Sequence, residues 1–500
     1  MFQFLSFKKN IDSILFAATG FIIIFLFTRH SGIGVCPDGV VYLTTAENIR
    51  SSSNLADYAQ NVVVEFPAFY PLFLNAIMFL TSLKTLTFAP VLNSLLFGSV
   101  IYLSGNIMEQ FSFSSRWYKI AMLSCIVVSP GLLEVYSMLW SETIFILWLL
   151  LFMMAMHRYF QYYSRKALIA AAIIASFAAV TRYAGVTIIG TGGILLLLDT
   201  QLHWRRKLTD VILYTAISPV LLIMNLARNY KVSGTMTGVR ERSLFTLHEN
   251  LHDAGSVLYD WLPFFNGRYD GSAWITIILI FALSLACVLF LLRRKRLASF
   301  EEIATVFALF YLSFMVVTAS ISRFETLDSR FLSPAFIPLL WAGSYSIVYL
   351  SKKRYINKKW VFALGTVLFL CFQYGQLAAD YETWDGVKDA GIPGYTEDQW
   401  KYSETVLYIQ KDSILFQKGY IMYSDANDAI YFFTRRQGKF LPHREDPAAI
   451  NHFLRDRHCY VIWFNDGFNP DLVGLNFIVK IKKMKLLKQF DDGAIYESDE

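Results

Sequence analysis

The sequence predicts an all-α polytopic membrane protein with a small α/β domain at its C-terminal end. Three observations carry that expectation. Of 500 residues, 55% are hydrophobic and only 17% charged, against about 25% charged in an ordinary soluble domain. Apolar runs close to the roughly 20 residues needed to cross a bilayer recur along the first three quarters of the chain. After residue 379 the composition changes to that of soluble sequence. Aromatic content is high, with 43 Phe, 28 Tyr and 11 Trp, and the mean hydropathy is +0.41. These features exclude a soluble enzyme, a disordered chain and a collagen-like protein.

Twelve apolar segments are visible, at about 11–28, 67–83, 89–108, 118–134, 141–160, 167–182, 184–199, 209–227, 272–292, 301–320, 331–350 and 360–378. Between them, basic residues gather at Lys8-Lys9, at Arg116 and Lys119, at Arg158 with Arg165 and Lys166, and at Arg205-Arg206-Lys207. Two further clusters are Arg293-Arg294-Lys295-Arg296, and Lys352-Lys353-Arg354 with Lys358-Lys359. The positive-inside rule assigns all six to the cytoplasm. With the N-terminus inside, that holds only if one early segment does not cross. The weakest is 66–84, which is short and carries Pro67 and Pro71 in its first turns. Eleven crossings and an extracytoplasmic C-terminus follow. The first segment has no small-residue cleavage site and reads as an uncleaved span.

This topology makes 1–379 a membrane domain with outer loops at 29–88, 228–271 and 321–330, and 380–500 a soluble extracytoplasmic domain. In the latter, 420–424 and 459–464 read as strands and 447–457 as a helix. Asp492-Gly493 reads as a hairpin turn before Ala494-Ile495-Tyr496. The small basic excess, a net charge of +6, implies no nucleic-acid partner. Five cysteines without a CxxC pair imply neither a disulfide framework nor a zinc ribbon.

Charged residues at the outer ends of these segments are the candidates for chemistry. Asp38 follows Pro37 at the start of a loop helix. It serves either as an acid facing the helix dipole or as a carboxylate that orients or deprotonates a hydroxyl. Glu47, nine residues on, falls on the opposite helix face and reads as structural. Glu65 precedes the Pro67/Pro71 segment and is placed to meet a cation from another loop. Ser141-Glu142 opens a span, as a helix cap would. Arg182 interrupts the apolar stretch 167–198, where a charge is costly and marks a site unless it snorkels to the interface. Arg228-Asn229 and Arg240 follow another span, and Asp328 and Arg330 precede the next. Guanidiniums collected at the outer surface suit a bound phosphate, because each offers a planar fork of donors. A separate motif, His248-Glu249-Asn250-Leu251-His252, fits the HExxH pattern of zinc proteases. The third histidine of the longer pattern would fall at Leu258, which does not ligate, and coincidence is the preferred reading.

The order of these features resembles the GT-C superfamily of membrane glycosyltransferases. It is most similar to the family of the bacterial lipid A aminoarabinose transferase and the protein O-mannosyltransferases. The matching elements are Asp38…Tyr42…Ala46…Asn48, Phe66-Pro67…Tyr70-Pro71, Ser141-Glu142, Thr181-Arg182-Tyr183…Gly185, Arg228-Asn229…Gly234 and Asp328…Arg330-Phe331-Leu332…Pro334. They span about 10–380. Pro67-Ala68 stands where the family commonly has paired prolines, and Glu65 replaces the more usual residue. The resemblance implies inverting transfer of a sugar from a polyprenyl-phosphate donor to an envelope lipid, polysaccharide or protein, on the outer face of a bacterial plasma membrane. It implies Asp38 as the catalytic aspartate, hydrogen-bonding or deprotonating the acceptor hydroxyl. Arg330, Arg228 and Arg182 would bind the donor phosphate, with Tyr42, Glu65, Tyr70, Glu142, Asn229, Arg240 and Asp328 in support. It implies neither a metal nor another cofactor. A zinc protease built on His248, Glu249 and His252, or a non-enzymatic transporter or flippase, are the alternatives.

Overall fold

The computed structural model describes residues 7–111, 115–262, 270–293, 299–323, 326–351, 358–411, 419–465 and 471–498. Residues 294–296 and 352–354 of the basic clusters lie outside them. The described chain is mostly helical, and each of the twelve apolar segments is largely helical, 118–134 as two helices. Among the described residues six helices are long and apolar enough to cross a membrane: Asn10–Phe27, Thr85–Met108, Glu142–Tyr162, Trp204–Ser233, Phe300–Ile321 and Lys359–Ala390. A seventh joins them if Arg116–Val127 and Pro130–Ser137, which meet at 53°, form one bent span. Phe69–Thr81 is shorter, as its two early prolines require.

The chain divides into two compact units. The first comprises 1–27, 64–73 and 88–386, and the second 28–63, 74–87 and 387–500.

In the first unit, local sequence starts and joins the helices. Ser299 and Glu302 form a reciprocal capping box at the head of Phe300–Ile321, which satisfies two amide donors that a helix start otherwise leaves open. The helix Arg165–Thr181 packs along Glu142–Tyr162, and its Ala171, Ala172, Ala175 and Ala178 are fully buried. Small side chains let helices approach closely where lipid supplies no hydrophobic drive. Charges near the helix ends are paired: Arg116 donates twice to Asp12 at 2.9 Å, and Lys119 reaches Glu109 at 2.7 Å. Fully buried Asp210 takes Arg165 at 3.0 Å and the Tyr159 hydroxyl at 2.9 Å.

One tight turn bears on function. Gly185 closes the turn after Arg182, its amide donating to the Arg182 carbonyl at 2.8 Å. A Cβ there would lie 2.4 Å from the Ala178 carbonyl oxygen and 2.6 Å from the Ala179 Cα. Both are backbone atoms that cannot swing aside. Gly185→Ala is expected to cost about 1–3 kcal/mol through overpacking, read as a lowered midpoint of thermal unfolding in detergent.

In the second unit, the described residues carry a five-stranded sheet. Its strands are β1 (Ile421–Ser424), β2 (Lys439–Phe440), β3 (Cys459–Phe464), β4 (Lys485–Gln489) and β5 (Gly493–Ser498), in the order β2-β1-β3-β5-β4. β1 runs parallel to β2 and β3, while β5 is antiparallel to β3 and β4. The helix Pro447–Arg455 joins β2 to β3, as a parallel crossover requires. The sheet core includes Tyr423, Phe453, Val461 and Ile478. The same unit holds the loop helix Pro37–Ser52, tied to its own loop by Asn48 Nδ2, which donates to the carbonyls of Ala56 and Asp57 at 2.9 Å.

Candidate active site

Two groups of polar residues organise the first unit. The first centres on Glu142, which is fully buried. Arg330 Nε donates to its Oε1 at 2.7 Å, and Arg182 Nη1 pairs with its Oε2. Arg182 also donates to Ser141 Oγ at 3.2 Å. The Arg330 guanidinium lies over the Trp140 ring, 4.2 Å from its centroid, a position stabilised by the ring quadrupole. Each contact follows from local geometry. Asp328 caps the short helix Ser329–Leu332 by accepting the Phe331 amide at 3.2 Å, which orients Arg330. The Gly185 turn presents Arg182 at the end of its helix. Tyr311 donates to the Phe331 carbonyl at 2.8 Å and ties the adjoining span to the same corner.

Two guanidiniums on a single carboxylate leave that triad with one excess positive charge. A cation pair held rigidly in a low-dielectric setting stabilises charge developing on a bound anion far better than mobile surface lysines do.

The second group is built on Asn229, also buried. Its amide donates to the Met236 carbonyl at 2.8 Å and to the Tyr183 hydroxyl at 3.0 Å, while its Oδ1 accepts Arg228 Nη1 at 3.0 Å. Tyr183 in turn donates to the Val64 carbonyl at 2.9 Å. Arg240 Nη2 donates to the Glu65 carbonyl at 3.0 Å, and Gly238, at φ +80°, lies against the Glu65 side chain. Arg240 thus meets Glu65 at its backbone oxygen, which any residue at that position would offer. Tyr70 is completely buried.

Asp38 lies in the second unit, in the first turn of Pro37–Ser52 and half-buried. Tyr42, one turn on, is buried. Glu47 is paired with Arg435 at 3.1 Å, a structural use, on the helix's other face.

Sequence reasoning gives no role to two participants, Tyr183 and Trp140, and a different one to Ser141. Tyr183 is adjacent to Arg182 and joins the Asn229 group; its place in a quoted motif is the signal that points to it. Trp140, directly before Ser141-Glu142, underlies Arg330. Ser141 makes no side-chain capping bond, so Ser141-Glu142 works here as an arginine holder and not as a cap.

The HExxH sequence falls on the helix Leu247–Asp260. Glu249 is the third residue of a capping box, accepting both the Thr246 amide and hydroxyl at 2.7 and 2.8 Å. Those bonds hold its carboxyl below the usual range. His248 stacks near Trp274, centroids 4.5 Å apart. Among the described residues no group of three His, Cys, Asp or Glu side chains is placed to hold a metal ion.

The chain shares the GT-C fold, over nearly all or most of its length, with two proteins of known structure. ArnT from Cupriavidus metallidurans, solved both with undecaprenyl phosphate and in the apo state, superposes with a TM-score of 0.57 at 11% identity, covering 97% of each chain. The archaeal oligosaccharyltransferase AglB from Archaeoglobus fulgidus, in complex with an inhibitory peptide and a dolichol-phosphate, gives 0.54 at 11% identity over 92% of this chain and 69% of its own. No family model and no curated protein sequence matches the chain.

Proposed function

We propose that this protein is an integral-membrane glycosyltransferase that moves a sugar from a polyprenyl-phosphate carrier to an envelope acceptor, with inversion, on the extracytoplasmic face. The observation that carries the reading is the pair of guanidiniums organised on Glu142 in a chain of GT-C fold. Structural neighbours bound to undecaprenyl phosphate and dolichol-phosphate support the donor class. The reading includes eleven crossings, a cytoplasmic N-terminus and a bacterial plasma membrane. It takes 1–379 as the membrane catalytic domain and 380–500 as an outer domain.

In this reaction the acceptor hydroxyl oxygen attacks the anomeric carbon from the face opposite the phosphate. The bond between that carbon and the phosphate oxygen breaks, and the lipid phosphate leaves with its electron pair. Asp38 orients the hydroxyl and takes its proton. Arg330, Arg182 and Arg228 stabilise the charge that grows on the phosphate. Asn229, Tyr42, Tyr70, Glu65, Arg240 and Asp328 hold these groups in place. The transferred unit is a hexose or pentose, and the acceptor an envelope lipid, polysaccharide or protein.

Mass spectrometry of envelope glycans and glycolipids from a deletion strain tests this. One glycosyl increment should disappear, return with the wild-type gene and stay absent with an Asp38→Asn gene. An envelope identical with and without the gene would overturn the reading.

A further inference from the structure

The loop helix that carries Asp38 is held from behind by the C-terminal part of the chain. Residues 391–396 run along the strand-like approach to that helix. The Ile392 amide donates to Ser31 Oγ at 2.9 Å, Thr396 Oγ1 to the Ile33 carbonyl at 3.0 Å and the Tyr395 amide to the Val35 carbonyl at 2.8 Å. The approach is close enough to require glycine. At Gly394, φ is +114° and a Cβ would lie 2.5 Å from the Val35 oxygen. The helix Asn427–Thr434 packs on the loop helix, and Tyr58 meets Tyr431 with centroids 5.2 Å apart.

Inside this contact is a buried polar pair. The Tyr395 hydroxyl donates to Asp428 Oδ2 at 2.8 Å, and Asp428 is only 2% exposed. Burial pushes the Asp428 carboxyl up from the usual carboxylate range. Tyr395 thus links Asp428, through its hydroxyl, to Val35, through its amide, three residues ahead of Asp38. A buried acid serves sheet packing poorly, and this link to the start of the loop helix gives it another use.

We propose that Asp428, fixed by Tyr395, is a positioning residue for Asp38, setting where the loop helix holds that carboxyl for the transfer reaction. The inference rests on the glycosyltransferase reading. A reacting group displaced by about 1 Å can cost on the order of a hundredfold in rate with its chemistry otherwise intact.

The test uses the full-length protein in lipid nanodiscs with a polyprenyl-phosphate sugar donor. It compares wild type, Asp428→Asn, Tyr395→Phe and Asp38→Asn. Asp428→Asn is expected to lower kcat about tenfold or more with the donor KM unchanged, a size appropriate to a misplaced reacting group. Tyr395→Phe should lower kcat in the same direction and less. Its thermal midpoint shows whether the fold survives. A kcat equal to wild type, or a loss that appears in the donor KM instead of kcat, overturns the positioning role even when Asp38→Asn is inactive. Absence of transfer by the wild-type protein, with its donor intact, overturns the functional reading itself and this inference with it.

Discussion

Glu142→Gln is expected to destabilise the helical unit by about 3–5 kcal/mol, the usual result of removing one partner of a buried ion pair. Arg330 and Arg182 both converge on this carboxylate, and it has no exposure to water. Glutamine keeps the shape and one carbonyl acceptor, but it removes the negative charge that the two guanidiniums share. Thermal unfolding in detergent should show a clearly lowered midpoint, with loss of transfer at temperatures where wild type is active. Adding Arg330→Met should restore part of the stability, since one uncompensated cation is then gone. A Glu142→Gln protein as stable as wild type would show that the triad does not hold these helices together.

Asp38→Asn is expected to produce the opposite separation: a large loss of activity with little change in stability. Its carboxylate lies in a first helical turn and is only half-buried. Removing its interaction with the helix dipole costs about 0.3–1 kcal/mol. Loss of a general base costs about 100- to 10,000-fold in rate. The thermal midpoint should therefore stay near wild type while transfer falls to background. Because asparagine still occupies the helix start, a misfolded variant is not the expected outcome. Substantial transfer by Asp38→Asn would remove this residue from the chemistry.

The contrast between these two variants follows from how each residue is visible in the sequence. Asp38 stands out locally, after Pro37, ahead of a run that supports a helix, and in a segment too polar to be a span. Glu142 has equally local features, a preceding serine and a following apolar run, and these suggest only a cap. What it does depends on Arg182, 40 residues away, and Arg330, 188 residues away. Nothing in the spacing of a serine and an acid reports on partners at such separations. Tyr395 and Asp428 are less visible still. They sit in ordinary soluble sequence, far from every apolar run, and their use appears only where 391–396 lies along 31–35.

Hydropathy and proline placement settle where helices form, because burial in lipid forces backbone hydrogen bonds to close within each segment. The apolar, aromatic and β-branched run at 459–464, and the turn at Asp492-Gly493, likewise mark β3 and the β4–β5 hairpin from short-range signals alone. The amino-acid order thus determined that the chain is polytopic, where most of its helices and strands fall, and which arginines and acids deserve attention. Only the tertiary structure decided that two of those arginines share one buried carboxylate, that Asn229 gathers Arg228 and Tyr183, and that the C-terminal region grips the Asp38 helix. Helices and turns are written in contacts a few residues apart, whereas charge pairing in a low-dielectric interior is decided by which distant segments close packing brings together.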